Sequence, residues 1–171
     1  MTAHIINYFR QVIIEDNRNL PWHRFAAGAI GFGLMIPLLG RSLVYFTGIE
    51  AWEATEELGK AIACLFGGWF AVISILAFSI GEMIDYVLTK GPALDEYGLY
   101  WNFVAFRAFC VTGHMSYLGI HWWGHVMARK QEHFLTRLNY RMIAFMLAWT
   151  YHMIHNNGWG MWVAQNWFGI Q

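Results

Sequence analysis

The chain of 171 residues is 57% apolar and only 13% charged, about half the usual charged share, which points to one domain built for a bilayer. Its formal net charge of zero, without a basic block, speaks against nucleic acid as a partner. Cys64 and Cys110 each sit inside an apolar stretch and give no support to a disulfide framework, and no nucleophile elbow, phosphate loop or zinc ribbon recommends a soluble enzyme class.

In chain order, residues 3–14 place Ile5, Ile6, Phe9, Val12 and Ile13 on one helical face, the pattern of a helix lying in the membrane interface. Its polar interruptions do not suit a signal peptide. Pro21, with Asn19 as a cap, fits the first turn of a helix over 21–46, whose entrance Trp22, His23 and Arg24 lies at headgroup depth. The run from Phe25 to Phe46 is long enough to cross about 30 Å of hydrocarbon. Two small pairs four apart, Ala27 with Gly31 and Ala29 with Gly33, let another helix approach, and Pro37 should kink this one. Arg41 either snorkels to the surface or pairs with a carboxylate on another helix.

The link that follows carries Glu50, Glu53, Glu56 and Glu57 and reads as a solvated acidic edge leading into a second helix over 55–88. The uncharged run from Ala61 to Ile80 makes this helix the firmest membrane span. Just beyond that run, Glu82 and Asp85 stand three apart on one side. Such a pair can hold a metal or a proton, and it also commonly ends a span. The sequence TKGP is expected to stop the helix after Leu88.

The third helix, over 99–132, carries the most informative pattern. Arg107, His114 and His121 recur every seven residues and drift only about 20° per step, with His125 about 40° further round. Phe103, Phe106, Phe109, Tyr117, Trp123 and Val126 are assigned to the other side, leaving a polar seam on an aromatic helix. A basic turn with Arg129, Lys130, Arg137 and Arg141 leads to a fourth helix over 136–155 that ends in His152 and His155. The tail 157–171, with Trp159, Trp162 and Trp167, reads as interfacial.

The expected fold is therefore all-α: a polytopic helical membrane protein with two to four embedded helices and interfacial segments at both ends. Four simple crossings would put the basic amino-terminal end and the basic 129–141 turn on opposite sides, against the positive-inside rule. Either only two helices cross, or an oligomer shelters the seam, because histidines and an arginine facing lipid at mid-depth would cost a few kcal/mol each.

Two functional readings follow. The leading one is a non-enzymatic, cofactor-free assembly or pore component of secretion, phage lysis or genome-delivery type. It would act as a homo-oligomer or in a larger complex of a bacterial inner or viral membrane, with Arg107, His114, His121 and His125 lining the bundle. The alternative is an electron-transfer or oxidoreductase subunit that binds haem b or a transition metal through His114, His121, His125, His152 and His155. Within it, His121 and His125 have the spacing to hold one metal from a single helix face.

Overall fold

A computed structural model describes residues 21–48 and 52–170; the amphipathic stretch 3–14 lies outside the described residues. The elements are α1 (Trp22–Thr47), α2 (Trp52–Leu65), α3 (Gly68–Asp95), α4 (Tyr100–Arg129), α5 (Phe134–Ile154) and α6 (Gly160–Phe168), with a π-helical turn, His155–Trp159, joining the last two. Every regular element among the described residues is helical, and α1, α3 and α4 are long and apolar enough to span a membrane. The chain is a helical membrane protein.

α1 starts after Pro21, whose carbonyl accepts the first backbone bonds, and ends at Gly48, where a left-handed φ of 67° lets the Gly48 N–H reach the Val44 carbonyl. Pro37 sits inside α1 without ending it. The helix buries Phe25, Ala29, Gly33, Ile36 and Gly40 and exposes Ile30, Leu34, Leu38 and Leu43. An apolar outer face of this kind is what a lipid-facing helix requires. Of the two small pairs, Ala29 with Gly33 is therefore the one in use. A Cβ on Gly33 would fall 2.0 Å from the Ser74 carbonyl oxygen, so only glycine allows α1 and α3 to come this close.

The stretch expected as one helix over 55–88 is two. α2 stops at Leu65, and the chain reverses at Gly67, whose φ of 109° is rarely open to a residue with a side chain. Phe66 closes the turn against Phe70, at 4.9 Å between ring centroids, and against Phe32, at 6.0 Å. α3 also passes the expected stop and continues through Pro92 to Asp95.

Contacts along the helices give their directions. Gly40 meets Trp52 and Gly59 meets Ile36, so α2 runs back along α1. Phe25 packs on Phe70 and Arg41 pairs with Asp85, so α3 runs parallel to α1. Gly68 meets Trp122 and Glu82 meets Arg107, so α4 returns; Gly124 meets Ala144 and Tyr117 meets Tyr151, so α5 goes forward again. One end of the bundle thus gathers Trp22, Arg24, the Gly67 reversal and the basic turn after Arg129. The other gathers Gly48, Glu96 and Gly169. The extra pass made by α2 brings Arg24 and the basic turn after Arg129 to the same end of the bundle, where four simple passes would separate them.

The tail read as interfacial continues α5. Backbone angles stay right-handed helical through Ile154, Trp159 and Gly160, and α6 lies over the start of α4. Phe168 stacks near Phe106 at 5.7 Å, and Asn102 Nδ2 donates to the Phe168 carbonyl at 2.9 Å.

Candidate metal centre

α2 decides what the centre contains. In WEATEELGKAI, Glu53, Glu56, Glu57 and Lys60 follow one another at helical spacing. Glu53, Glu56 and Glu57 were expected, with Glu50, to form a solvated acidic edge; Glu50 lies outside the described residues, Glu53 and Glu56 are half-buried, and for Glu57 the expectation is corrected, since it and Lys60 are 0% exposed. The reason is packing, because α2 lies against α1, α3, α4 and α5 together. Gly59 and Ala63 keep its flank thin enough to fit.

Glu57 is the hub. Its Oε1 accepts from Lys60 Nζ and from His152 Nδ1, the latter at 2.8 Å, while Oε2 accepts from His121 Nε2 at 2.8 Å. Lys60 Nζ also lies 4.8 Å above the Tyr117 ring. One carboxylate thereby ties α2 to α4 and α5, and charge-assisted bonds of this kind are the strong ones. A second carboxylate, Glu82 on α3, accepts from His114 Nε2 at 2.9 Å and pairs with Arg107 at 3.2 Å, and the Arg107 guanidinium sits 4.0 Å over Tyr86.

These bonds fix the inner sides of two histidines. His114 gives its Nε2–H to Glu82, so its Nδ1 carries a lone pair; that atom is buried and without a hydrogen-bond partner. His152 gives its Nδ1–H to Glu57, so its Nε2 carries the lone pair and faces Glu56 Oε2 at 3.8 Å, too far for a hydrogen bond. Glu56 Oε2 is likewise buried and unpartnered. One donor atom from each of Glu56, His114 and His152 lies within 4.8 Å of the others. A carboxylate and two imidazoles from three helices thus converge on one point. Metal–nitrogen bonds of about 2.0–2.1 Å would set such donors roughly 3–3.5 Å apart, so closing on an ion takes a shift of about an ångström. Phe78 stands edge-on to His114 and Tyr117 stacks on His152.

The other expected site residues are placed differently. Arg107, His114 and His121 turn towards α2, α3 and α5 of their own chain. His121 is engaged by Glu57, and His125 stacks on Trp122 at 5.3 Å nearer the basic end, so the two do not face a common point. His155 lies in the π turn against Trp159 and Tyr117. Glu82 and Asp85 part company: Glu82 faces inward, and Asp85 pairs with Arg41 at 3.1 Å on the exposed rim. Tyr117, assigned by periodicity to the side opposite the seam, is 1% exposed and packs beside His114. Sequence reasoning missed Glu56, Glu57 and Lys60 as site residues. The signal available was a lysine one turn after a glutamate, leading directly into an uncharged apolar run.

From the triad a cavity of ≈ 830 Å³ extends towards the end that carries Gly48 and Glu96. All the helices contribute to it, including Leu38 from α1, Glu53 from α2, Phe78 from α3, Phe106 from α4, His155 after α5 and Met161 from α6. On the other side of the triad, Ala63, Cys64, Phe66 and Phe70 fill the core. No protein-family model, curated protein or solved structure matches the chain.

The hub predicts a specific stability pattern. Glu57→Ala strands the buried Lys60 charge and should cost about 3–5 kcal/mol, whereas adding Lys60→Met should restore a large part of it. Unfolding of the purified variants in mixed micelles checks this; equal and additive losses would contradict it.

Proposed function

We propose that the chain is a multi-pass membrane protein that holds one divalent transition-metal ion on Glu56, His114 and His152. The observation that carries this reading is the convergence of one carboxylate and two imidazoles, each imidazole hydrogen-bonded to a further carboxylate. Outer carboxylates of this kind orient metal-binding imidazoles and raise their basicity. Two histidines and one carboxylate are also the donor set of catalytic zinc sites and of non-haem iron(II) sites, which keep coordination positions open for water or substrate. Here the open positions face the cavity.

The pore reading draws less support from the same geometry. The seam is covered by helices of the same chain, so it needs no oligomer to shelter it. The cavity leads from one end to the triad, beyond which apolar side chains occupy the core. The metal-binding alternative is retained with its residues revised: Glu56 joins the set, and His121, His125 and His155 leave it.

The gathering of Arg24, Arg129, Lys130, Arg137 and Arg141 at one end favours a cytoplasmic position for that end under the positive-inside rule. The cavity then opens on the opposite face of the membrane. With single cysteines in a Cys64→Ala, Cys110→Ala background, a membrane-impermeant thiol reagent should reach Trp22→Cys and His133→Cys from one side and Tyr97→Cys from the other. Labelling of positions 22 and 133 from opposite sides would overturn this arrangement.

Metal content tests the main claim. Protein purified in detergent and supplied with iron(II), zinc or cobalt(II) should retain about one ion per chain after desalting. His114→Ala, His152→Ala and Glu56→Ala should each abolish retention, Glu82→Gln should weaken it about 10- to 100-fold, and His125→Ala should leave it unchanged. Folded wild-type protein that retains no ion, or a His114→Ala variant that retains it fully, would refute the proposal.

A further inference from the structure

We infer that the cavity above the triad takes an organic carboxylate with an apolar body, and that Tyr117 is a binding residue for its carboxylate group. This rests on the metal reading and adds the chemical class of the ligand.

Most charged groups around the cavity are paired: Arg41 with Asp85, and Arg107 with Glu82. Apart from Glu56 Oε2 and His114 Nδ1, two buried polar atoms on the cavity wall, Tyr117 OH and Arg107 Nε, have no hydrogen-bond partner among the described residues. Both act here as donors. A buried donor left without an acceptor carries its full desolvation cost, so the site is incomplete until an acceptor oxygen arrives. The Tyr117 ring stacks on His152 at 4.8 Å and stands edge-on to His114 at 5.9 Å, which sets it in the cavity wall beside the triad with its hydroxyl on the side of Gly113 and His155. Arg107 reaches the same place through Glu82, which holds His114.

Arg41, Lys90 and Arg107 line the cavity together with Glu53, Glu56, Glu82 and Asp85, and a divalent ion at the triad adds two positive charges, so the loaded site attracts an anion more strongly than the empty one. Leu34, Leu38, Phe78, Phe106 and Met161 give the cavity an apolar wall, and ≈ 830 Å³ is the size of a small-molecule site. A monovalent carboxylate offers several lone pairs, enough for the ion and for a donor hydroxyl together, while its hydrocarbon part lies along this wall.

Hexanoate serves as the probe, with hexylamine and inorganic phosphate as comparisons. Added to cobalt(II)-loaded protein in nanodiscs, hexanoate should shift the visible cobalt bands and show saturable calorimetric binding, while hexylamine should do neither and phosphate should bind at least tenfold more weakly. Tyr117→Phe keeps the stacked ring, so it should retain one ion per chain and the wild-type melting temperature but bind hexanoate about tenfold or more weakly. Removing the metal should weaken hexanoate at least as much. A loaded protein that binds hexanoate no better than hexylamine, or a Tyr117→Phe variant that binds it as wild type does, overturns this inference and leaves the metal site standing. Failure to load any ion overturns both.

Discussion

A single carboxylate with no exposure to solvent holds this bundle together. Glu57 accepts from a lysine on its own helix and from histidines on two others, and none of these groups has another buried partner of comparable strength. Burying four polar side chains in a membrane protein is tolerable only if they satisfy one another, and losing one leaves the rest stranded. This requirement fixes the rotation of α2 about its axis. With that rotation set, Glu56, the neighbouring residue, is turned to the opposite flank of the hub and towards the cavity. The triad is thus a consequence of the hub, since the bond that locks His152 to Glu57 also aims its other nitrogen at Glu56.

The same interaction explains the topology. A short helix rich in glutamate would not remain in an apolar setting alone, but paired with Lys60 and capped by histidines it becomes a fifth packed element. Its antiparallel pass changes the parity of the chain, so that the basic turn after Arg129 returns to the end where Arg24 lies. The reversal at Gly67 and the close approach at Gly33 make room for it, one by backbone conformation and the other by the absence of a side chain.

Much of the framework was legible in the sequence. Uninterrupted apolar length locates α1 and α3, the option of an Arg41 partner on another helix is met by Asp85, and the seven-residue recurrence of Arg107, His114 and His121 locates the polar face of α4. Periodicity failed where tertiary packing overrides it. The acidic run before Ala61 looks solvated because four glutamates in a row of turns usually are; whether Glu57 is buried depends on histidines 64 and 95 positions away. Tyr117 lies only three residues from His114, and a helical face is wide enough that three residues do not separate two sides. Histidine spacing likewise favoured His121 with His125, whereas the donors that converge come from three helices and could not be paired by counting along one.

Beyond the hub, the cluster of Glu56, His114 and His152 is the basis of the proposed metal site, with further carboxylates on both imidazoles and a cavity on one side. X-ray absorption on protein loaded with a transition metal tests that proposal most directly. The account predicts a first shell of nitrogen and oxygen scatterers at about 2.0–2.2 Å containing two imidazoles, with one imidazole lost in His114→Ala. A shell with sulfur at about 2.3 Å, or one without imidazole, would contradict it.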